Sequence, residues 1–322
     1  MQCGHRAASE EAYRTMSWLA VLALHAGLVL ANPFAAPSEE WQIRLPDEQI
    51  IEVKEQDYAL PGLRMLDMSR VGALSERIAK QVYVPPENAR IGPDGSIRTE
   101  RVGRKLDERR FYEWFAAHYY GDGDHGQTLQ LPTVKLYPRV DGELLAAIRE
   151  KPIGYYATYF NSRNKSRSHN IDLAARAIDG TVVFPGELFS FNRTVGIRTP
   201  DRGYKPAPII VRGELSEGVG GGICQVSSTL YNAVDRAGLR IIERYSHSKR
   251  VPYVLAGRDA TVSWGGPDFS FRNDYNQPVL IKALSVHGKM FVTVYSSELI
   301  EYTPREVPGM TRGELPEEES VS

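Results

Sequence analysis

Between Pro152 and Ser296 the chain is cut into short runs rich in β-branched and aromatic residues. These are YYATYF, VVFPGELFSF, APIIVRG, RIIERY, VPYVL, ATVSW, FSFRN, PVLIKAL and KMFVTVY, separated by glycine, proline and asparagine turns. Runs of this length cannot carry long helices and predict many short strands. Only two helices are expected here, one over roughly Ile171 to Ile178 and one starting just after Gly220-Gly221-Gly222. Residues 152–296 therefore read as a β-rich domain with few helices.

The preceding stretch has a different texture. MLDMSRVGALSERIAKQV repeats its apolar residues at three and four, the period of one helix face. PPENARIGPDGSIRTERVGRKLD reads as two short extended pieces around the Pro93-Asp94-Gly95 turn. Asp107 can cap a helix over ERRFYEWFAAHYY that closes at Gly121, GDGDHGQ is a loop, and LQLPTVKLYP returns as a strand. Residues 39–148 are expected to be a small α+β module, so the fold class of the chain is α+β. Residues 303–322, rich in proline and glutamate, read as a disordered tail.

The 39 basic and 40 acidic residues nearly cancel, and no basic run is interleaved with stacking aromatics, so nucleic acid is not an expected partner. The 14-residue apolar run WLAVLALHAGLVLA, Trp18 to Ala31, is shorter than the roughly 20 residues of a membrane-spanning helix. Arginines precede it and small residues end it, as in a signal peptide covering 1–31. Export is expected, with a membrane anchor only if the run stays uncut. Cys3 lies inside that segment, which leaves Cys224 as the single thiol of an exported chain. Such a thiol is a buried bystander, a link to another chain or a reactive group.

In GVGGGICQVSSTLYNAVDRAGLRIIER, the residues Ile223, Val226, Leu230, Val234 and Ala237 fall on one helix face, which is core, and Gly238 ends the helix. Cys224 projects to another side, in the first turn behind three glycines. A helix start lowers a thiol pKa and can cradle an oxyanion, and glycines let a substrate backbone come close. Tight turn geometry around a packed cysteine explains the same residues, and both readings stand at this point. A base would separate them. His247, closing the strand RIIERYSHS that follows the helix, is the histidine a short connection can return towards Cys224. Asp259 or Asp268 could orient its imidazole, and Arg244, Arg258 or Arg272 could hold a substrate carboxylate. Gly221, Gly222, Gln225, Ser227 and Tyr231 complete the expected substrate contacts. One cysteine and scattered histidines match no zinc spacing, so neither metal nor cofactor is expected.

The sequence resembles the VanW family. The residues that carry the likeness are PGELFSFN at Pro185 to Asn192, Val195-Gly196, Gly203-Tyr204, GGGICQVSSTLYNAV at Gly220 to Val234, Glu243-Arg244, His247-Ser248 and VPYVLAGRDATVSWGGPDFSFRN at Val251 to Asn273. It spans roughly Ile153 to Leu284. The segment from PPENARI to LYPRV resembles, on fewer residues, the peptidoglycan-binding domain that often stands before VanW domains. The family is named from vancomycin-resistance clusters, and the resemblance implies L,D-transpeptidation, the 3-3 cross-linking of peptidoglycan stem peptides, with Cys224 at the position of the motif cysteine and His247 within the pattern. It implies a cell-wall or extracellular location. The alternatives are a non-catalytic wall-binding or scaffold protein linked to glycopeptide resistance, and a cysteine peptidase of the wall.

Overall fold

A computed structural model describes residues 40–121, 128–211 and 214–309. The expected signal peptide, most of the loop GDGDHGQ and the end of the tail lie outside the described residues. Among those described, no helix is long and apolar enough to cross a membrane.

The chain divides into two compact units. The first takes residues up to Pro85 together with Gly103–Leu136. Helix α1, Met68–Val82, starts at Asp67, whose carboxylate accepts from the N–H groups of Ser69 and Arg70. It buries Val71, Leu74, Ile78 and Val82 along one face. Helix α2, Glu108–Tyr120, is capped by Asp107 as its sequence predicts. Both helices share a core with a three-stranded sheet in the order Ile50–Lys54, Glu40–Arg44, Thr128–Gln130. Trp41 anchors that core edge-on to Phe115, ring centroids 4.9 Å apart.

The second unit takes Pro86–Val102 and everything from Tyr137 on. The boundary therefore differs from a module running through residue 148. The Arg90–Ile91 and Ile97–Arg98 hairpin and helix α3, Gly142–Ile148, belong to the later unit. The reason is apolar: Ala89, Val140, Leu145 and Ile148 form one buried cluster with Leu280.

The centre of this unit is a four-stranded antiparallel sheet in the order Lys151–Tyr159, Lys289–Ser296, Val279–Val286, Val182–Val183. Lys289–Ser296 alternates strictly, burying Met290, Val292, Val294 and Ser296. Against the sheet pack helix α4, Lys165–Ile178, and, beyond the short helix α5, Phe191–Val195, helix α6, Ile223–Arg236. The α6 crossing is tight because residue 154 has no side chain: a Cβ on Gly154 would stand 2.7 Å from the Ala237 nitrogen. A second sheet orders Leu188–Ser190, Ser270–Arg272 and Arg240–Glu243, and Pro206–Val211 pairs with Glu214–Val219.

Three sequence expectations change. Helix α4 begins at Lys165 rather than near Ile171, because the Asn164 side chain caps it by accepting from the Arg167 N–H at 3.0 Å. VPYVL and ATVSW form no strands. Residues 303–309, assigned to a disordered tail, are irregular but packed: Val307 is buried, the Tyr156 hydroxyl donates to the Pro308 carbonyl, and Arg305 pairs with Asp235.

Candidate active site

The site assembles from three segments. The first is the start of α6. Gly222 caps it at φ +106°, a conformation that favours glycine. Gly221 and Gly222 have no room for side chains, and the crowding comes from the protein itself. A Cβ on Gly221 would meet the Ala207 carbonyl at 2.5 Å, and one on Gly222 would meet Arg167 and Ile171 at 3.0 Å. The glycines thus seat the helix start between a strand and α4. The helix-start amides are partly engaged: Ile223 N–H turns to Gly220 and Gln225 N–H to Gly222. Among the described residues, the Cys224 N–H has no backbone acceptor.

The second segment, residues 244–247, leaves the second sheet after Glu243, so His247 sits on an irregular stretch rather than at a strand's end. The third, residues 258–262, is held by side chains of α6. Ser227 donates to the Ala260 carbonyl at 2.6 Å, the Ala260 N–H donates to Ser228 at 2.8 Å, and Asn232 donates to the Arg258 carbonyl at 2.8 Å. The Thr261 N–H then ties this segment to the Tyr245 carbonyl.

These ties bring three functional groups into line. The Asp259 carboxylate accepts from the His247 backbone N–H at 2.6 Å and lies 2.7 Å from the imidazole Nδ1. The two side chains are only 7% and 9% exposed. The imidazole and the Cys224 thiol are close enough for each to favour the other's charged form. The thiol also faces the Val262 carbonyl at 3.5 Å and the Thr261 hydroxyl at 3.8 Å.

Electrostatics follow from that order. Burial opposes charge on His247, yet the bonds to Asp259 and Cys224 and their attraction carry its pKa up to about 9. Burial raises the Cys224 thiol, but the bond and charge of His247 outweigh it and the net shift is down. Burial likewise raises Asp259, and the two bonds from His247 bring it below its ordinary value. Each shift favours a thiolate beside an imidazolium held by a carboxylate, an arrangement suited to nucleophilic acyl transfer.

The remaining expected contacts are mostly framework. Gln225, buried, donates to Thr158 and the Tyr159 carbonyl and accepts from Arg167 at 2.9 Å. Arg258 bonds Asn232 and Asp235 at 2.7 Å each, and Arg244 bonds the carbonyls of Gly257 and Asp259 at 2.9 and 2.8 Å. Both guanidinium groups lie against the Tyr231 ring. These bonds brace the loop that carries Asp259. Asp268 is also structural, accepting from Ser190 and the N–H groups of Asn192 and Phe269, and Arg272 is paired with Asp274. Sequence reasoning missed Thr261, Val262 and Tyr253. The Tyr253 hydroxyl is pushed well above its ordinary pKa by burial and by the nearby thiol. Nothing local in VPYVL signals that placement. Among the described residues, no group of three or more His, Cys, Asp or Glu could hold a metal ion.

Residues 166–295 match a family described as VanW like protein. The chain is 52% identical over 284 residues to the uncharacterized protein YoaR of Bacillus subtilis, covering 88% of this chain and 93% of that one. It is 36% identical over 115 residues to the vancomycin B-type resistance protein VanW of Enterococcus faecalis, covering 34% of this chain and 42% of that one. No solved structure matches. On the extent and identity of the first relative and the position of the family match, this chain is a member of the VanW family.

Proposed function

We propose that the protein is a cysteine-dependent L,D-transpeptidase that forms 3-3 cross-links between peptidoglycan stem peptides outside the cytoplasm. The observation that supports this most is the buried Asp259–His247 pair, bonded at 2.7 Å, whose imidazole shifts the Cys224 thiol towards the thiolate. The apolar run from Trp18 to Ala31 supports export. The name of the Enterococcus faecalis relative, a resistance protein against a wall-directed antibiotic, agrees with a wall substrate.

In the reading we favour, the Cys224 thiolate attacks the carbonyl of the diamino-acid residue at stem position three. A C–S bond forms, the amide bond to the terminal D-alanine breaks, and the His247 imidazolium protonates the departing amine. The Cys224 N–H is the amide available to the oxyanion. The side-chain amine of a second stem then attacks the thioester, passes its proton to His247 and releases the thiolate.

Mass spectrometry of muropeptides tests this after expression of the wild type and Cys224→Ala. Gain of 3-3 dimers with the wild type alone supports cross-linking. Tripeptides without dimers would make water the acceptor and the protein a peptidase. Identical profiles would leave a wall-binding protein.

A further inference from the structure

Arg198 follows α5 by three residues and lies along the glycine turn that opens α6. A Cβ on Gly220 would stand 3.3 and 3.4 Å from its Cβ and Cγ. Its guanidinium is 5.8 Å from the centre of the Phe191 ring. Both terminal nitrogens are buried, and neither has a hydrogen-bond partner among the described residues. Burial works against its charge, and the groups that counter this by attraction are Tyr204, Cys224 and Asp268. Asp268 already accepts three hydrogen bonds from Ser190, Asn192 and Phe269. The other arginines near the site are committed, Arg244 to backbone carbonyls, Arg258 to Asn232 and Asp235, Arg167 to Gln225.

A guanidinium stays charged at physiological pH, and unmet N–H groups out of water are costly. Its planar pair of donors fits one ligand chemistry best, a carboxylate taken by two parallel hydrogen bonds. Arg198 lies against Gly220, in the turn that opens the helix bearing Cys224, so a carboxylate taken there is held at the nucleophile's end of that helix.

We propose that Arg198 receives the free terminal carboxylate of the peptide, on the residue directly after the carbonyl that Cys224 attacks. This rests on the acyl-transfer reading, in which the leaving group is a chain end, and assigns the residue that recognises that end. In the acylation step the C–N bond to that last residue breaks, His247 protonates its nitrogen, and it departs as a free amino acid from Arg198. An internal peptide bond would offer Arg198 a neutral amide and react poorly.

Two measurements on the whole protein decide this. Alkylation of Cys224 by iodoacetate, which carries a carboxylate, is compared with neutral iodoacetamide in wild type, Arg198→Gln and Arg198→Lys. The iodoacetate-to-iodoacetamide rate ratio, compared at pH values where the thiol is fully ionised in each variant, should fall about tenfold in Arg198→Gln and less in Arg198→Lys. Calorimetry with Cys224→Ala should show a stem tetrapeptide binding at least about tenfold more tightly than its C-terminal carboxamide, and Arg198→Gln in that background should erase the difference. Equal slowing of both reagents with a raised thiol pKa would reduce Arg198 to support of the thiolate and overturn the proposal. So would indifference to amidation. Should Cys224 resist both reagents, the acyl-transfer reading falls, while the calorimetry still decides the role of Arg198. Thermal melts confirm that each variant is folded.

Discussion

A single oxygen of Asp259 takes both the backbone N–H and the imidazole Nδ1 of His247, at 2.6 and 2.7 Å. The carboxylate thus fixes the ring's position through backbone and side chain together. Asp259→Asn should let the His247 pKa fall from about 9 towards the ordinary 6.5, and should slow cross-linking by on the order of 10²- to 10⁴-fold. An NMR titration of the imidazole and a rate assay check the two halves. An unmoved imidazole would remove Asp259 from the relay.

The raised His247 and lowered Cys224 values predict different pH profiles for two reactions. Alkylation needs only the thiolate, so its rate should rise through the lowered thiol pKa and persist above pH 9. Transfer also needs the imidazolium to protonate the leaving amine, so its rate should decline as pH rises through about 9. Parallel profiles would contradict the division of labour.

Stability should follow the same groups. The folded-state pKa of His247 is raised, so its contribution is complete below pH 6.5 and disappears as pH rises through about 9. That of Asp259 is lowered, so its contribution is present above 3.8 and is lost on acidification. The gap in Tm between wild type and Asp259→Asn should therefore be widest between about pH 4 and 6.5 and narrow towards pH 10, as thermal melts across pH would record.

Cys224→Ala and His247→Ala should each abolish most activity, and the double variant should lose little more, since groups acting as one unit are non-additive. Kinetic analysis of the three proteins reads this directly. Additive losses would mean independent roles.

Much of this architecture could be read from the chain. The three-and-four repeat of Ile223, Val226, Leu230 and Val234 specifies the buried face of α6 and leaves Cys224 off it, because one helix places its own residues by period alone. The short connection after α6 points to His247 as a neighbour of Cys224, and the influence of each group on the other's charge agrees with it. VPYVL and ATVSW misled: they carry strand composition, but the Arg258 and Ala260 carbonyls and the Ala260 N–H are bonded by Asn232, Ser227 and Ser228 of α6. Arg198, in a polar turn-rich run, becomes buried only through the fold of the Gly220 turn, which no local pattern announces.

Arg258 illustrates the difference between a charge near a site and a charge within it. Because it bonds Asn232 and Asp235, Arg258→Ala should lower stability by about 1–3 kcal/mol and reduce kcat by loosening the Asp259 loop, with KM nearly unchanged. Denaturant unfolding and steady-state kinetics test this, and a rise in KM alone would restore it as a substrate contact.

The tight seat of α6 on the sheet has a kinetic consequence. The strand under Gly154 belongs near the start of the domain, yet its partner strand, Lys289–Ser296, comes from the other end. The helix bearing Cys224 therefore has no floor until that distant pairing closes, a slow class of event in folding. Cys224 should stay an ordinary thiol until then, so that its reactivity reports when the helix is seated. A pulse of alkylating reagent during refolding should find a slow, alkaline-type thiol first and the activated one only when the two ends of the domain have met.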